Sequence, residues 1–170
     1  MQLIQIGKKQ FATTTGRITT DSYNATIKKL TFASSKGFVQ IVPLKLASGT
    51  KHLKYALVKS LESFKNDSAV TKKPELEFIL HFTAENQLNK ALNKAKFSNE
   101  SLVLICEKNI FNEIKKELNF EEQKIEFGKN KNELMKFYSI SERELKTFFD
   151  LKNALEELII QRCVFASFEK

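Results

Sequence analysis

The chain has 170 residues, 42% of them hydrophobic and 28% charged, and carries a net charge of +8. That length suits a single domain, 1–170, with a real core, and the longest apolar run, LVLIC at 102–106, is far short of the ~20 residues a membrane helix needs. The charge is uneven: residues 1–74 hold thirteen Lys or Arg against three acids, whereas 75–170 hold fifteen against seventeen, a field that suits a polyanion on one face and something else on the other.

QLIQI at 2–6 alternates like an opening strand, and its apolar segment is too short for a signal peptide. A second short strand is expected near 10–14, followed by a turn at Gly16. Asp21 can cap a helix through 21–34 that places Tyr23, Ile27 and Leu30 on one face and ends at Gly37. FVQIV at 38–42 reads as a strand stopped by Pro43. A helix over 50–64 shows the stripe Leu53, Ala56, Leu57, Ser60, Leu61, Phe64. Pro74 breaks the chain before a predicted strand at 75–82, and a helix at 84–96 follows with Ala84, Leu88, Ala91, Leu92 and Ala95 at helical spacing. SLVLIC at 101–106 is a buried strand, 109–119 a helix carrying Ile110, Ile114 and Leu118, and QKIEF at 123–127 an edge strand. Helical segments fill 130–137, 141–149 and 151–166. Strands and helices mix without a regular βαβ rhythm, so the fold class is α+β, a mixed or antiparallel sheet covered by helices.

Catalytic signatures are sparse. Neither His52 nor His81 has a second ligand at metal spacing, so no metal or cofactor is expected. No phosphate-cradling glycine loop or nucleophile motif is present. Cys106 and Cys163 sit in apolar surroundings and read as buried free thiols of a reducing compartment. The acid pairs Glu121–Glu122 and Glu156–Glu157 read as solvated helix faces, and His81 as a core or half-buried histidine. The chain is therefore read as a binding subunit and not as an enzyme.

One stretch resists the bland reading. SGTKHLKY at 48–55 opens a helix with Lys51, His52 and Lys54, although a helix N-terminus is already positive and favours acids. Gly49 with those cations makes an anion seat, and His52, Tyr55 and Lys59 share a flank where rings could stack an unpaired base. The pattern suits single-stranded RNA. The alternative is a Tyr55 half-buried against the sheet and an incidental His52 at the helix N-terminus. In the last helix, Leu151, Ala154, Leu155, Leu158 and Ile159 form a core stripe, whereas Ile160, Cys163, Val164, Phe165 and Phe168 spread around the wheel. Such a helix is covered on all sides either by its own chain or by a partner at Ile160, Val164, Phe165 and Phe168.

These segments, in order, resemble the small kinase-binding subunit of the KEOPS complex, the TPRKB-like proteins. Gly49, His52, Leu53 and Ala56 match a Gly-x-x-His-Leu-x-x-Ala motif. Leu76, Glu77 and Leu80 followed by Gln87, Leu88, Ala91 and Leu92 match a second pair of motifs, with Leu88 where Ile is usual. ALEELIIQRCVFASFEK with Arg162 is similar to the family's last helix, although Cys163-Val164-Phe165 replaces small apolar residues. The similarity covers 38–168, and the first 37 residues match loosely. It implies a non-catalytic subunit that binds the complex's atypical kinase/ATPase, helps recruit tRNA by its single-stranded CCA end for threonylcarbamoyladenosine formation, and works in the cytoplasm, or also the nucleus of a eukaryote. The other reading is a protein-interaction regulator of the kinase with no RNA contact.

Overall fold

The computed structural model describes residues 1–19, 22–98, 100–148 and 151–168, without the side chains of 151, 152, 167 and 168. The predicted α+β class holds: the chain contains an antiparallel five-stranded sheet together with eight α-helices among the described residues. It divides into two compact units, Met1–Leu44 with Lys96–Glu126, and Lys45–Ala95 with Phe127–Lys170.

The first unit holds the sheet. Strand β1 (Gln2–Ile6) turns at Gly7 into β2 (Lys9–Ile18), with Ile6 opposite Lys9. Gly7 supplies the left-handed φ of +55° that so tight a hairpin loop needs. Helix α1 (Tyr23–Ala33) follows, then β3 (Val39–Pro43), and later β4 (Leu102–Glu107), α5 (Phe111–Glu117) and β5 (Phe120–Glu122). The strand order is β1-β2-β4-β3, with β5 also on β2. Alternate residues Val39 and Ile41, and Leu102, Leu104 and Cys106, share one sheet face with Ala12. They bury against Leu30 and Ala33 of α1 and Phe111 and Ile114 of α5, the period-2 and period-3.6 patterns meeting in one core.

Two expectations change here. The predicted turn at Gly16 does not form, because β2 runs straight through it. Gly16 is needed for a different reason: a Cβ there would collide with the Glu121 carbonyl and the Phe120 ring where β5 crosses. The predicted edge strand at 123–127 is instead β5 at Phe120–Glu122. Pro43 ends β3 from within, tolerable because among the described residues β3 pairs only with β4 and lies at the sheet edge. Ser22 caps α1, its hydroxyl accepting from the Ala25 N–H; Asp21, the predicted cap, lies outside the described residues.

The second unit is helical: α2 (Thr50–Lys65), α3 (Pro74–Thr83), α4 (Leu88–Lys94), α6 (Lys131–Phe137), α7 (Glu142–Leu145) and α8 (Leu151–Phe168). The predicted strand at 75–82 is α3. A continuous apolar run is compatible with a strand or with a fully enclosed helix, and Phe78, Ile79, Leu80 and Phe82 are all buried. Pro74 at the first position, with Glu75 and Glu77 in the first turn, is a helix start and not a strand boundary. Helix 84–96 shortens to α4, because Ala84 takes a left-handed φ of 53° and terminates α3.

Candidate functional site

The two places picked from the sequence both lie in the second unit. At the start of α2, Gly49 is the N-cap and offers no side chain to the first N–H groups. The orphan donors of a helix start need acceptors, and Glu156 of α8 provides one: its Oε1 accepts from the His52 N–H at 3.1 Å. A Cβ at Gly49 would strike that carboxylate, so glycine is what admits it. Glu157, one residue on, takes Lys51 Nζ at 2.9 Å. The anion seat expected at Gly49, Lys51 and His52 is thus filled by the chain's own carboxylates. Glu156 and Glu157 are consequently not the solvated pair that adjacency suggested. The sequence carried one signal for them, an acid-free helix start with glycine at its cap, which calls for a carboxylate from elsewhere.

His52 corrects the RNA reading most directly. Its side chain is fully buried, with its ring stacked on Phe82 at 4.7 Å and edge-on to Tyr138 at 5.6 Å. No base can reach it. Its Nε2–H donates to the Phe82 carbonyl at 3.1 Å, and the Tyr138 hydroxyl shares its one proton between that oxygen at 2.8 Å and the Leu46 carbonyl at 3.0 Å. Because α3 ends at Ala84, the Phe82 carbonyl has no next turn to bond. His52 and Tyr138 satisfy it from α2 and from the end of α6. Burial pushes the His52 pKa down to about 4, against the smaller opposing effect of that hydrogen bond, so the imidazole is neutral near pH 7. Cys163 Sγ lies 3.8 Å from Nε2, yet burial raises its thiol to about 12. A neutral thiol against a neutral, sealed imidazole is packing and not an activated nucleophile. Cys106 is likewise buried and pushed up to about 12 by burial.

The remaining α2 residues do not assemble into a groove. Tyr55 is half-buried, as the alternative had it, but what it packs against is the helical core that includes Leu134 and Tyr138. Lys59 pairs with Glu62 at 2.8 Å on its own helix. Lys54 is exposed. His81 is buried with its Nε2 3.7 Å from the sealed carboxylate of Glu77. Glu77 accepts the Val70 and Thr71 N–H groups at 3.1 and 3.0 Å, fastening the loop before α3. Gly49, His52, Leu53, Ala56, Glu77 and Leu80, which carry much of the family resemblance, are all buried. Their roles are structural: a gap for a carboxylate, a carbonyl cap, a loop clamp and core packing.

The second place stays open. In α8, Ala154, Leu158, Ile159 and Cys163 are buried in a core with Leu134, Met135 and Ile140. Ile160 and Val164 are half-buried, and Phe165 is 59% exposed. Leu151 and Phe168 lie outside the described side chains. Phe165 borders a cleft of about 470 Å³ whose walls include Phe137, Lys94, Ser139 and Arg162. Lys94 sits 5.0 Å over the Phe137 ring and pairs with Glu85. Arg162 donates to the Ser139 carbonyl at 3.3 Å and pairs with Glu144. The Ser141 backbone N–H and hydroxyl, with Arg162, hold the Glu144 carboxyl down at about 2. Both cations at the rim are therefore already balanced, and the outstanding feature of this surface is its exposed apolar ring.

Among the described residues, no cluster of His, Cys, Asp and Glu could hold a metal, and no helix is long and apolar enough to cross a membrane. No protein-family model matches the chain, and no curated protein matches it.

Proposed function

We propose that the chain is a non-catalytic docking subunit of the KEOPS kind, which engages an atypical kinase/ATPase through the outer side of the second half of α8. The observation that carries this reading is Phe165. A phenylalanine exposed at 59% and bordering a cleft, on a helix whose Ile160 and Val164 are half-buried, has the chemistry of an interface anchor. The ordered sequence resemblance supplies the partner. No reaction is assigned to the chain itself, and the expected compartment is the cytoplasm, with the nucleus added for a eukaryotic host.

The experiment is capture of the purified kinase subunit by this chain and by its Phe165→Glu variant. Retention by the first and loss by the second supports the reading; equal retention overturns the placement on α8. A second reading, in which the subunit also holds tRNA by its CCA end, keeps one observation in its favour, the excess of ten positive charges over residues 1–74. It has lost its stacking residue, because His52 is sealed. Binding of intact tRNA and of tRNA lacking CCA, each at two salt concentrations, tests it: equal affinity removes end recognition, and a flat salt response removes the electrostatic argument.

A further inference from the structure

The turn after α6 carries a backbone conformation that its residue does not favour. Among the described residues, four other than glycine hold a positive φ: Asp67, Ala84, Asn119 and Ser139. Asp and Asn tolerate that left-handed region, because their short polar side chains bond locally. Ala84 and Ser139 lack that tolerance, and both line the cleft beside Phe165. Each closes a helix at a position where glycine is the favoured residue. At the end of α3 the Glu85 N–H reaches back to the Leu80 carbonyl at 3.1 Å, and at the end of α6 the Ile140 N–H reaches the Met135 carbonyl at 2.8 Å. The methyl group of Ala84 has a packing reason, since it lies against the helical core. The side chain of Ser139 has no such reason: the residue is exposed, and its hydroxyl makes no hydrogen bond among the described residues. Strain with no use inside the chain points outward, to a contact.

We propose, resting on the docking reading of α8, that Ser139 is a specificity contact of that surface. Its hydroxyl, together with Arg162 and Lys94, receives a main-chain carbonyl of the kinase/ATPase subunit. The hydrogen-bonding capacity of the cleft selects that partner group. Arg162 can only donate, and it bonds the Ser139 carbonyl and Glu144 through Nη2, which leaves its Nε–H and Nη1–H groups uncommitted among the described residues. Lys94 pairs with Glu85 and has three N–H donors to share. The cleft therefore offers donors in excess, yet both of its cations already have a carboxylate. A neutral acceptor suits that combination; a further carboxylate would bring a charge that nothing there balances. The bond from Arg162 to the Ser139 carbonyl, at 3.3 Å, holds the turn in place from α8. Phe165 lines the same cleft and shields the contact from water when the partner docks.

Binding of the purified kinase subunit, measured as a dissociation constant beside the melting temperature of the chain, tests this with Ser139→Gly and Ser139→Ala. Ser139→Gly relieves the left-handed turn. It should raise the melting temperature by about 2–4 °C and yet weaken binding about three- to tenfold. Ser139→Ala leaves the strain in place, so it should move the melting temperature by no more than about 1 °C and weaken binding as much. A residue with a purely structural role would show the gain in stability without either loss. The ratio of the two dissociation constants, Ser139→Ala to the unsubstituted chain, should hold within about twofold between low and high salt, because a neutral acceptor is not screened. Stabilisation by glycine, loss of binding in both variants and a salt-independent ratio together support the proposal. Unchanged binding by both variants, while Phe165→Glu still loses the kinase, overturns this contact and leaves the docking reading standing. Failure of glycine to stabilise overturns it too, since the turn is then unstrained. A ratio that collapses at high salt replaces the carbonyl with a carboxylate. A chain that binds no kinase, or binds it as well with Phe165→Glu, removes the contact together with the docking reading.

Discussion

The start of α2 and the end of α8 make an instructive pair. Both stood out in the sequence, one for its cations and the other for apolar residues all round the wheel. The fold closes the first and leaves the second open. At α2, Glu156 caps the bare N–H groups, Glu157 takes Lys51, and His52 turns inward to complete α3. At α8, Cys163 is absorbed by the core while Phe165 remains outside. A helix end that looks electrostatically unbalanced is evidence of a missing anion, and the anion can be another part of the same chain. An apolar residue beyond the core stripe has no such internal remedy, since burial needs area and not one charge.

That contrast can be broken by substitution. The largest effect is expected at His52. His52→Ala removes a sealed ring and one of two donors to the Phe82 carbonyl, and should cost about 3 kcal/mol or more of stability in chemical denaturation. His52→Phe keeps a flat ring, though a larger one, and should cost about 1–2 kcal/mol, since Tyr138 still serves the carbonyl. Near-wild-type stability of His52→Ala would mean that the imidazole is not the keystone described.

Acid titration probes the same residue. Its folded pKa, about 4, lies below the ordinary 6.5. The unfolded chain therefore binds the proton first, and stability is complete above pH 6.5 and declines as pH falls towards 4. The whole effect is about 3 kcal/mol at ~1.4 kcal/mol per pH unit. His52→Phe should flatten the profile in that window. Glu144, held down at about 2, has the same sign in a lower pH window. Its contribution is present above the ordinary carboxylate pKa of 4.5 and is lost only as pH falls below it, so the two groups separate along the pH axis.

Gly49→Ala should cost about 1–2 kcal/mol in thermal or chemical unfolding, by driving Glu156 off the α2 N-terminus. Its backbone φ of 173° accepts alanine, so the penalty is the displaced carboxylate and not strain. Combined with Glu156→Ala, the second change should add little, because the cap is already gone. The smallest stability effect belongs to the open region. Phe165→Glu should shift stability by no more than about 0.5 kcal/mol while abolishing kinase capture. A destabilised Phe165→Glu protein would place that ring in the core after all.

The sequence by itself determined the parts whose signals are local. Alternation marked β1, short apolar runs marked β3 and β4, the helical stripe marked α2, and Pro43 marked the end of β3, so the α+β class was legible without coordinates. The first stripe of α8 was legible for the same reason: Ala154, Leu158 and Ile159 repeat at the period of the element that buries them. Tertiary structure alone decided what depended on distant neighbours. PELEFILHFT is apolar enough to be a buried strand or a buried helix, and enclosure among α2, α4 and α8 makes it α3. Gly16 serves the close passage of a strand that begins more than a hundred residues later. His52 and Glu156 are separated by 104 positions, and the sequence cannot say that one's backbone donates to the other's carboxylate. Periodicity reports which face of an element is buried; it carries no information about what buries it, and whether a charge or a ring is spent inside the fold or left for a partner depends on that.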